Sequence, residues 1–242
     1  LATLLIFAFA LEAFCSITKG RAYSGDIYFR STASLVEWFR DSHLDGRNII
    51  ADFTVGPMLK AYCGMGIAMQ PQWGIERIRH PTEVYINLMY YGTEEELNRF
   101  CAKYHADYLL YDKGYVGPMS IYSTRYMGAA IDIPEKSMAN LMYYWSLGRD
   151  SKLNWFYRID PPAQYHEVEG KFRVFKVIKP EERLESMKMV AAGEAALGDG
   201  DIALAGRLAK VAVWFDPISP GAKALFFKVF KHLPVVEINA VK

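Results

Sequence analysis

Short runs of apolar residues alternate with amphipathic segments between residues 48 and 178. Two of the runs, residues 48–51 and 108–111, have the length of strands that are buried on both faces, and an aspartate follows each. Strands that alternate with helices favour a mainly parallel sheet covered by helices. We therefore predict an α/β domain over residues 26–179. The residues predicted to lie in adjacent buried strands of its sheet are Ile49, Ile50, Leu109 and Leu110.

Capping residues and helix breakers place helices between these strands. Gly56 and Pro57 predict a helix start, because proline is favoured in the first turn of a helix, and Gly64 ends that helix. Thr93 and Glu96 have the spacing of a capping box. The helix that follows them carries an apolar stripe at helical spacing, formed by Leu97, Phe100, Cys101 and Tyr104.

The sheet is predicted to close with an antiparallel β-hairpin. Its strands are predicted at residues 165–169 and 172–178, and the turn between them at Gly170. Pro180 then separates the α/β domain from a helical tail over residues 181–242.

Small residues in the tail have the spacings of a tetratricopeptide-like repeat. Gly193, Gly200, Ala205, Ala212 and Pro217 follow one another at intervals of 7, 5, 7 and 5 residues. Small side chains let two antiparallel helices approach closely, and a proline ends the second helix. The pattern therefore predicts one helix-turn-helix unit.

This unit is 34 residues long, from Ser186 to Ser219, and a second unit begins at Pro220. Repeats of this kind are stable only beside their neighbours. We therefore predict that Phe226 and Phe230 lie on an uncovered apolar face. A repeat array is typical of binding surfaces, so the tail is predicted to bind a protein partner.

The chain begins with an apolar stretch, Leu1 to Phe14, interrupted only by Thr3 and Glu12. The stretch is shorter than the roughly 20 residues that span a bilayer. It fits a core helix, a signal-peptide remnant, or the end of a truncated transmembrane helix over residues 1–18. Because the first residue is not methionine, we favour the truncated helix and expect a membrane localisation.

Composition excludes several functional classes. The chain has 28 basic and 27 acidic residues, and this balance argues against a nucleic-acid partner. Its three cysteines lack paired short spacings, and its histidines lack the spacing of metal ligands, so no metal site is predicted. No nucleophile motif and no carboxylate pair stand out. We therefore predict no catalytic residue and no cofactor.

Two pairs of residues are candidate substrate-binding groups. Asp52 and Thr54 follow a predicted parallel strand, where ligands often bind, although such residues also cap helices. Arg77 and Arg79 belong to a polar run before Pro81. Arginine binds phosphate through two hydrogen bonds, so this run fits a lipid headgroup, a substrate phosphate, or a solvated loop.

The order of elements resembles the extracytoplasmic C-terminal domain of GT-C class membrane glycosyltransferases. This class includes oligosaccharyltransferase catalytic subunits and protein mannosyltransferase-like enzymes. The resemblance rests on residues 49–62, 93–112 and 165–176 and covers about 150 residues. It implies a polyprenyl-phosphate sugar donor and a soluble domain directly after the last membrane helix. Appended tetratricopeptide repeats also occur in bacterial members.

One motif of the class is altered in this chain. Oligosaccharyltransferases carry a Trp-Trp-Asp-Tyr-Gly motif after the first strand, which holds the hydroxyl group of the acceptor peptide. At residues 52–56 only Gly56 matches, and Thr54 replaces the aspartate of the motif. Sequon-specific peptide glycosylation is therefore not expected. The catalytic acid of the class lies on membrane-side loops, which these residues do not include.

Two functions from different classes remain open at this point. The first is a soluble, non-catalytic portion of a membrane glycosyltransferase, which positions an acceptor or a partner outside the cytoplasm. The second is a soluble α/β binding protein whose tetratricopeptide-type tail docks other proteins. A stand-alone α/β enzyme that uses the Asp52 edge of the sheet is a third, weaker hypothesis.

Overall fold

The computed structural model describes residues 27–52, 54–69, 75–116, 136–145 and 153–231. Its strands are β1 (Asn48–Ile50), β2 (Gly66–Ile67), β3 (Tyr108–Asp112), β4 (Phe156–Ile159) and β5 (Phe172–Val177). The helices of the first domain are α1 (Ile27–Asp41), α2 (Gly56–Cys63), α3 (Glu76–Tyr91), α4 (Glu94–Lys103), α5 (Met138–Trp145) and α6 (Val168–Lys171). Those of the tail are α7 (Pro180–Gly198), α8 (Ile202–Phe215) and α9 (Pro220–Phe230). The membrane segment predicted at residues 1–18 lies outside the described residues.

The five strands form one sheet in the order β2-β1-β3-β5-β4. β1 pairs with β2 and β3 in parallel, whereas β5 is antiparallel to both β3 and β4. The α/β class is confirmed, but the sheet is mixed and not mainly parallel. The reason is that β5 runs in the opposite direction to both of its neighbours, β3 and β4, and the chain reaches it directly from β4. A parallel pairing there would need a crossover.

Helices cover both faces of this sheet. Ile50 and Leu109 are register partners and face one layer, where they pack with side chains of α3, α4 and α5. Ile49 and Leu110 face the other layer, which includes side chains of α1 and α2. All four side chains are buried, as predicted. Strands buried on both faces explain why their sequences are continuous apolar runs.

The helix starts and ends predicted from capping residues are present in the structure. Thr93 accepts a hydrogen bond from the Glu96 backbone N–H, and the Glu96 carboxylate accepts one from the Thr93 N–H, which completes the capping box. Pro57 lies in the first turn of α2, and Gly64 ends that helix in the left-handed conformation. These contacts depend only on neighbours along the chain.

The predicted closing hairpin is wrong. Residues 163–165 form a 3₁₀ turn and residues 168–171 form α6, so the segment before β5 is helical and not a strand. Tyr165 and Val168 are both buried, and they pack in the same core layer as Ile49 and Leu110. The antiparallel neighbour at the sheet edge is β4 instead.

The tail begins with an antiparallel helix pair, α7 and α8, joined by a short turn at Gly200. Successive contacts join residue 183 to 216, 186 to 212 and 193 to 208, so one helix runs against the other. Gly193, Ala205 and Ala212 are buried in the pair, as predicted. α8 ends at Phe215, two residues before Pro217.

The third tail helix, α9, packs against both α7 and α8. It buries Leu225 and Val229 against the pair. Phe230 is only 7% exposed, so the prediction that it lies uncovered is wrong, because it packs beside Gly206 of α8. The exposed aromatic residue of α9 is Phe227, at 70%. No helix in the described residues is long and apolar enough to cross a membrane.

Candidate functional site: a buried carboxyl pair at the sheet edge

Two aspartates lie at the carboxyl ends of the neighbouring parallel strands β1 and β3. Asp52 is 1% exposed and Asp112 is 2% exposed. Asp52 Oδ1 accepts hydrogen bonds from the Thr54 hydroxyl, from the Thr54 N–H at 2.7 Å and from the Val55 N–H at 3.3 Å. These bonds hold the turn that leads into α2.

Asp112 makes a similar turn at the end of β3. Its Oδ1 accepts a hydrogen bond of 2.7 Å from the Gly114 N–H, and its Oδ2 lies 3.2 Å from the Lys171 Nζ. Each aspartate thus uses one oxygen to hold its own turn. Because β1 and β3 are adjacent and parallel, the two turns bring the carboxyl groups together.

The two carboxyl groups interact directly. Burial raises the pKa of Asp112 to about 8, and the negative charge of Asp52 and a hydrogen bond between the two side chains contribute to this increase. Burial likewise raises the pKa of Asp52. Two close carboxylates in an apolar setting do not both ionise. At neutral pH the pair therefore retains one proton.

This proton fills a gap in the hydrogen bonding of the site. Asp52 Oδ2 is buried, and no N–H or hydroxyl group among the described residues donates to it. A buried acceptor without a donor costs about 1–3 kcal/mol. A proton retained by the pair offers a donor for this oxygen, and it is lost as pH rises past the raised pKa of Asp112.

The surroundings of the pair include three buried tyrosines and the cation Lys171. Tyr85 and Tyr115 lie close enough for the Asp52 charge to raise the pKa of both phenols, after burial, which is the larger cause. Tyr111 is also buried, and its hydroxyl donates to the Ala139 carbonyl at 2.9 Å. Protonated tyrosines carry no positive charge that offsets a second carboxylate. Lys171, whose Nζ lies 3.2 Å from Asp112 Oδ2, is the nearby cation.

The structure separates the four residues that the sequence suggested as substrate contacts. Thr54 lies beside Asp52 and donates to it, which fits the capping interpretation for Asp52 Oδ1. The polar run before Pro81 is not a loop, because it forms the first turns of α3. Arg79 pairs with Glu83 at 2.8 Å, one turn further along that helix. Arg77 lies in α3 as well, and its side chain is outside the described part.

The absence of a carboxylate pair, predicted from the sequence, is wrong. Asp52 and Asp112 are 60 positions apart and share no motif, so only the pairing of β1 with β3 brings them together. The available signal was that each aspartate directly follows a buried parallel strand. Carboxyl ends of such strands meet at one edge of a sheet.

The chemistry open to the pair is the donation and acceptance of one proton. A carboxyl group that is protonated at neutral pH donates a hydrogen bond to an oxygen atom, and the ionised partner accepts one from a hydroxyl group. A metal ion finds few ligands here. Among the described residues, no group of three or more histidine, cysteine, aspartate or glutamate side chains has the arrangement of a metal site.

No model of a known protein family matches this chain, and no curated protein is significantly similar to it.

Proposed function

We propose that this chain is a soluble, non-catalytic portion of a membrane glycosyltransferase that uses a polyprenyl-phosphate sugar donor. In this proposal the α/β domain lies outside the cytoplasm and helps to position the acceptor. The tetratricopeptide-like tail contacts a protein partner. Sugar transfer itself belongs to a membrane part beyond these residues.

The observation that carries a binding role is the surface of the tail. Large apolar side chains of α7, α8 and α9 face the solvent, namely Leu184, Met187, Val211, Trp214 and Phe227. These side chains are spread over three helices that pack against one another, and exposed apolar groups that form a contiguous patch mark interaction sites. The tail is also fixed to the sheet, because Lys176 of β5 donates to the Trp214 and Phe215 carbonyls.

The carboxyl pair supports the proposal in a second way. Asp52 corresponds to the start of the segment that holds the acceptor hydroxyl in oligosaccharyltransferases. Here it is buried and hydrogen-bonded to Thr54 and Val55, which favours a role in shaping the turn after β1. Such a turn can present backbone groups to an acceptor without supplying a catalytic acid.

The proposal predicts that the purified chain alone transfers no sugar. The test is to incubate it with a set of polyprenyl-phosphate sugars and acceptor peptides, and to measure glycopeptide by mass spectrometry. Product above the level of a heat-denatured control would contradict the non-catalytic role. The coding sequence upstream of Leu1 is the second test, because the proposal expects about ten further apolar helices of membrane-spanning length.

A soluble α/β binding protein with a tetratricopeptide-type tail is the second candidate function. The exposed side chains Met187 and Phe227 support this second function as much as the first, because both lie on the tail and both functions assign the tail a protein partner. A start codon close to Leu1, with no apolar helices before it, would support this function over the first.

A further inference from the structure

A cleft of about 390 Å³ lies between the sheet and the helical tail, at the end of the sheet opposite the carboxyl pair. Small-molecule sites in proteins have volumes of roughly 300–1,000 Å³. β3, β4 and β5 form its floor, and the last turn of α8 forms a wall. None of the residues in the carboxyl pair lines this cleft.

The floor is one row of side chains across three strands. Tyr157 of β4 is the register partner of Lys176 in β5, and Lys176 is the partner of Tyr108 in β3. Residues that are directly opposite in a sheet project from the same face. Two phenol rings therefore flank a lysine stem along the bottom of the cleft.

The wall is held in place by the same lysine. Lys176 Nζ donates to the Trp214 carbonyl at 2.5 Å and to the Phe215 carbonyl at 2.9 Å, at the negative end of α8. The ammonium group also lies 5.1 Å from the centre of the Trp214 ring. These contacts fix the position of Trp214, although its side chain is 63% exposed.

Several polar groups at the cleft have no partner within the described residues. Neither the hydroxyl groups of Tyr108 and Tyr157 nor the Arg47 guanidinium makes a hydrogen bond or an ion pair there. Tyr157 is 39% exposed as well. The cleft thus combines the exposed rings of Trp214 and Tyr157 with hydrogen-bonding groups that have no partner among the described residues.

The charges of the lining are balanced. Arg47 and Lys176 are basic, whereas Asp107 and Glu182 are acidic. Asp107 is also paired with Lys179 at 2.7 Å, outside the lining. A balanced lining does not favour a strongly anionic ligand such as a nucleotide, because the carboxylates repel it. A neutral ligand with many hydroxyl groups avoids this repulsion.

We infer that this cleft binds a short, neutral carbohydrate. A sugar ring has an apolar C–H face, which packs on the Trp214 and Tyr157 rings, and hydroxyl groups at its rim. The phenol hydroxyl of Tyr108 and the Arg47 guanidinium donate to those hydroxyl oxygens, and the Glu182 carboxylate accepts from them. The inference does not rest on the proposed function, although Trp214 belongs both to the cleft and to the exposed apolar surface of the tail.

Titration calorimetry of the full chain with three neutral disaccharides tests the inference. The probes are cellobiose, N,N′-diacetylchitobiose and α-1,6-mannobiose, and inorganic phosphate serves as the anionic comparison. At least one disaccharide should bind with a Kd in the millimolar range or tighter. Trp214→Ala and Tyr157→Ala should each weaken that binding about tenfold or more, whereas Trp214→Phe should keep much of it.

Phe227→Ala is the matched control, because it removes an equally exposed aromatic ring from α9, outside the lining of the cleft. It should leave binding unchanged. Circular dichroism melting curves should show that all variants remain folded. The inference is overturned if no disaccharide binds, if only phosphate binds, or if Trp214→Ala and Phe227→Ala weaken binding equally.

Discussion

The proton held by Asp52 and Asp112 links folding stability to pH. An unfolded aspartate has a pKa near 4, whereas that of Asp112 in the folded chain is about 8. Below about pH 4 the carboxyl group is protonated in both states, so it adds no pH dependence. Between these two values the folded chain keeps a proton that the unfolded chain has lost. Stability therefore falls as pH rises towards 8, and the loss is complete above that value.

Asp52→Asn should reduce this pH dependence and raise stability at pH 8, because it removes the Asp52 charge, while burial, the larger cause of the raised Asp112 pKa, remains. The amide oxygen can still accept from the Thr54 N–H, and the amide nitrogen replaces the buried oxygen that lacks a donor. The new N–H groups can donate to Asp112, which favours its ionised form beside Lys171. We expect a gain of about 1–3 kcal/mol in the free energy of unfolding at pH 8. Urea unfolding at pH 5 and pH 8 measures it.

Asp160→Asn is the control for this substitution, because Asp160 is exposed and pairs with Arg158 at the surface. The free energy of unfolding of this variant should fall between pH 5 and pH 8 by the same amount as that of the wild-type chain. If Asp52→Asn loses stability between pH 5 and pH 8 as steeply as the wild type, the shared proton is not the cause.

At the scale of elements, two glycines show how tightly α9 packs on the helix pair. A Cβ atom added to Gly193 of α7 would lie 2.5 Å from Leu225 Cδ2, which is too close. A Cβ atom added to Gly206 of α8 would lie 3.5 Å from Val229 Cγ1, an ordinary contact. Both glycines lie inside helices, where alanine is favoured by about 1 kcal/mol.

Gly206→Ala should therefore raise the melting temperature, and Gly193→Ala should lower it or leave it unchanged. The gain in helix propensity is the same in both variants, so the difference between them reports the contact with Leu225. Differential scanning calorimetry of the two variants measures this difference. An equal increase in both would mean that α9 is not packed on Gly193 as described.

The elements that the sequence predicted correctly depend on neighbours along the chain. The capping box at Thr93 and the helix start at Pro57 involve residues at most three positions apart. The buried runs at Ile49 and Leu109 are equally local, since burial on both faces leaves a continuous apolar pattern.

The features that the sequence did not predict depend on which strands become neighbours. β4 has only four residues, and its position beside β5 follows from the fold and not from its pattern. The carboxyl pair has the same origin, because Asp52 and Asp112 meet only when β1 pairs with β3. The cleft beside Trp214 likewise requires the tail to be packed against the sheet.

At the scale of the whole molecule, Arg183 joins the tail to the α/β domain. Its Nε donates to Asp216 Oδ2 at 2.8 Å, at the end of α8, and Asp216 is buried. Its Nη2 donates to the Asn154 carbonyl, and its guanidinium stacks 4.0 Å from the centre of the Trp155 ring. One side chain thus contacts the second tail helix and the segment that leads into β4.

Arg183→Lys should weaken this junction even though the charge is kept. A lysine can pair with Asp216, but it lacks the planar group that reaches Asn154 and stacks on Trp155 at the same time. We expect a loss of about 1–3 kcal/mol in the free energy of unfolding, and faster hydrogen exchange in both α8 and β4. Lys188→Arg is the control, because Lys188 forms an exposed pair with Glu185. Equal exchange in the two variants would contradict the role of Arg183.

The position of β5 has a consequence for the order in which the chain is made. Among the described residues β5 is the last strand along the sequence, yet it lies between β3 and β4, and β4 has no other strand beside it there. A nascent chain that ends before Phe172 therefore exposes one open edge on β3 and an unpaired β4. Open strand edges template aggregation. Ribosome stalling or proteolysis between β4 and β5 is thus more hazardous to this protein than a break after Pro180, where all five strands are already paired.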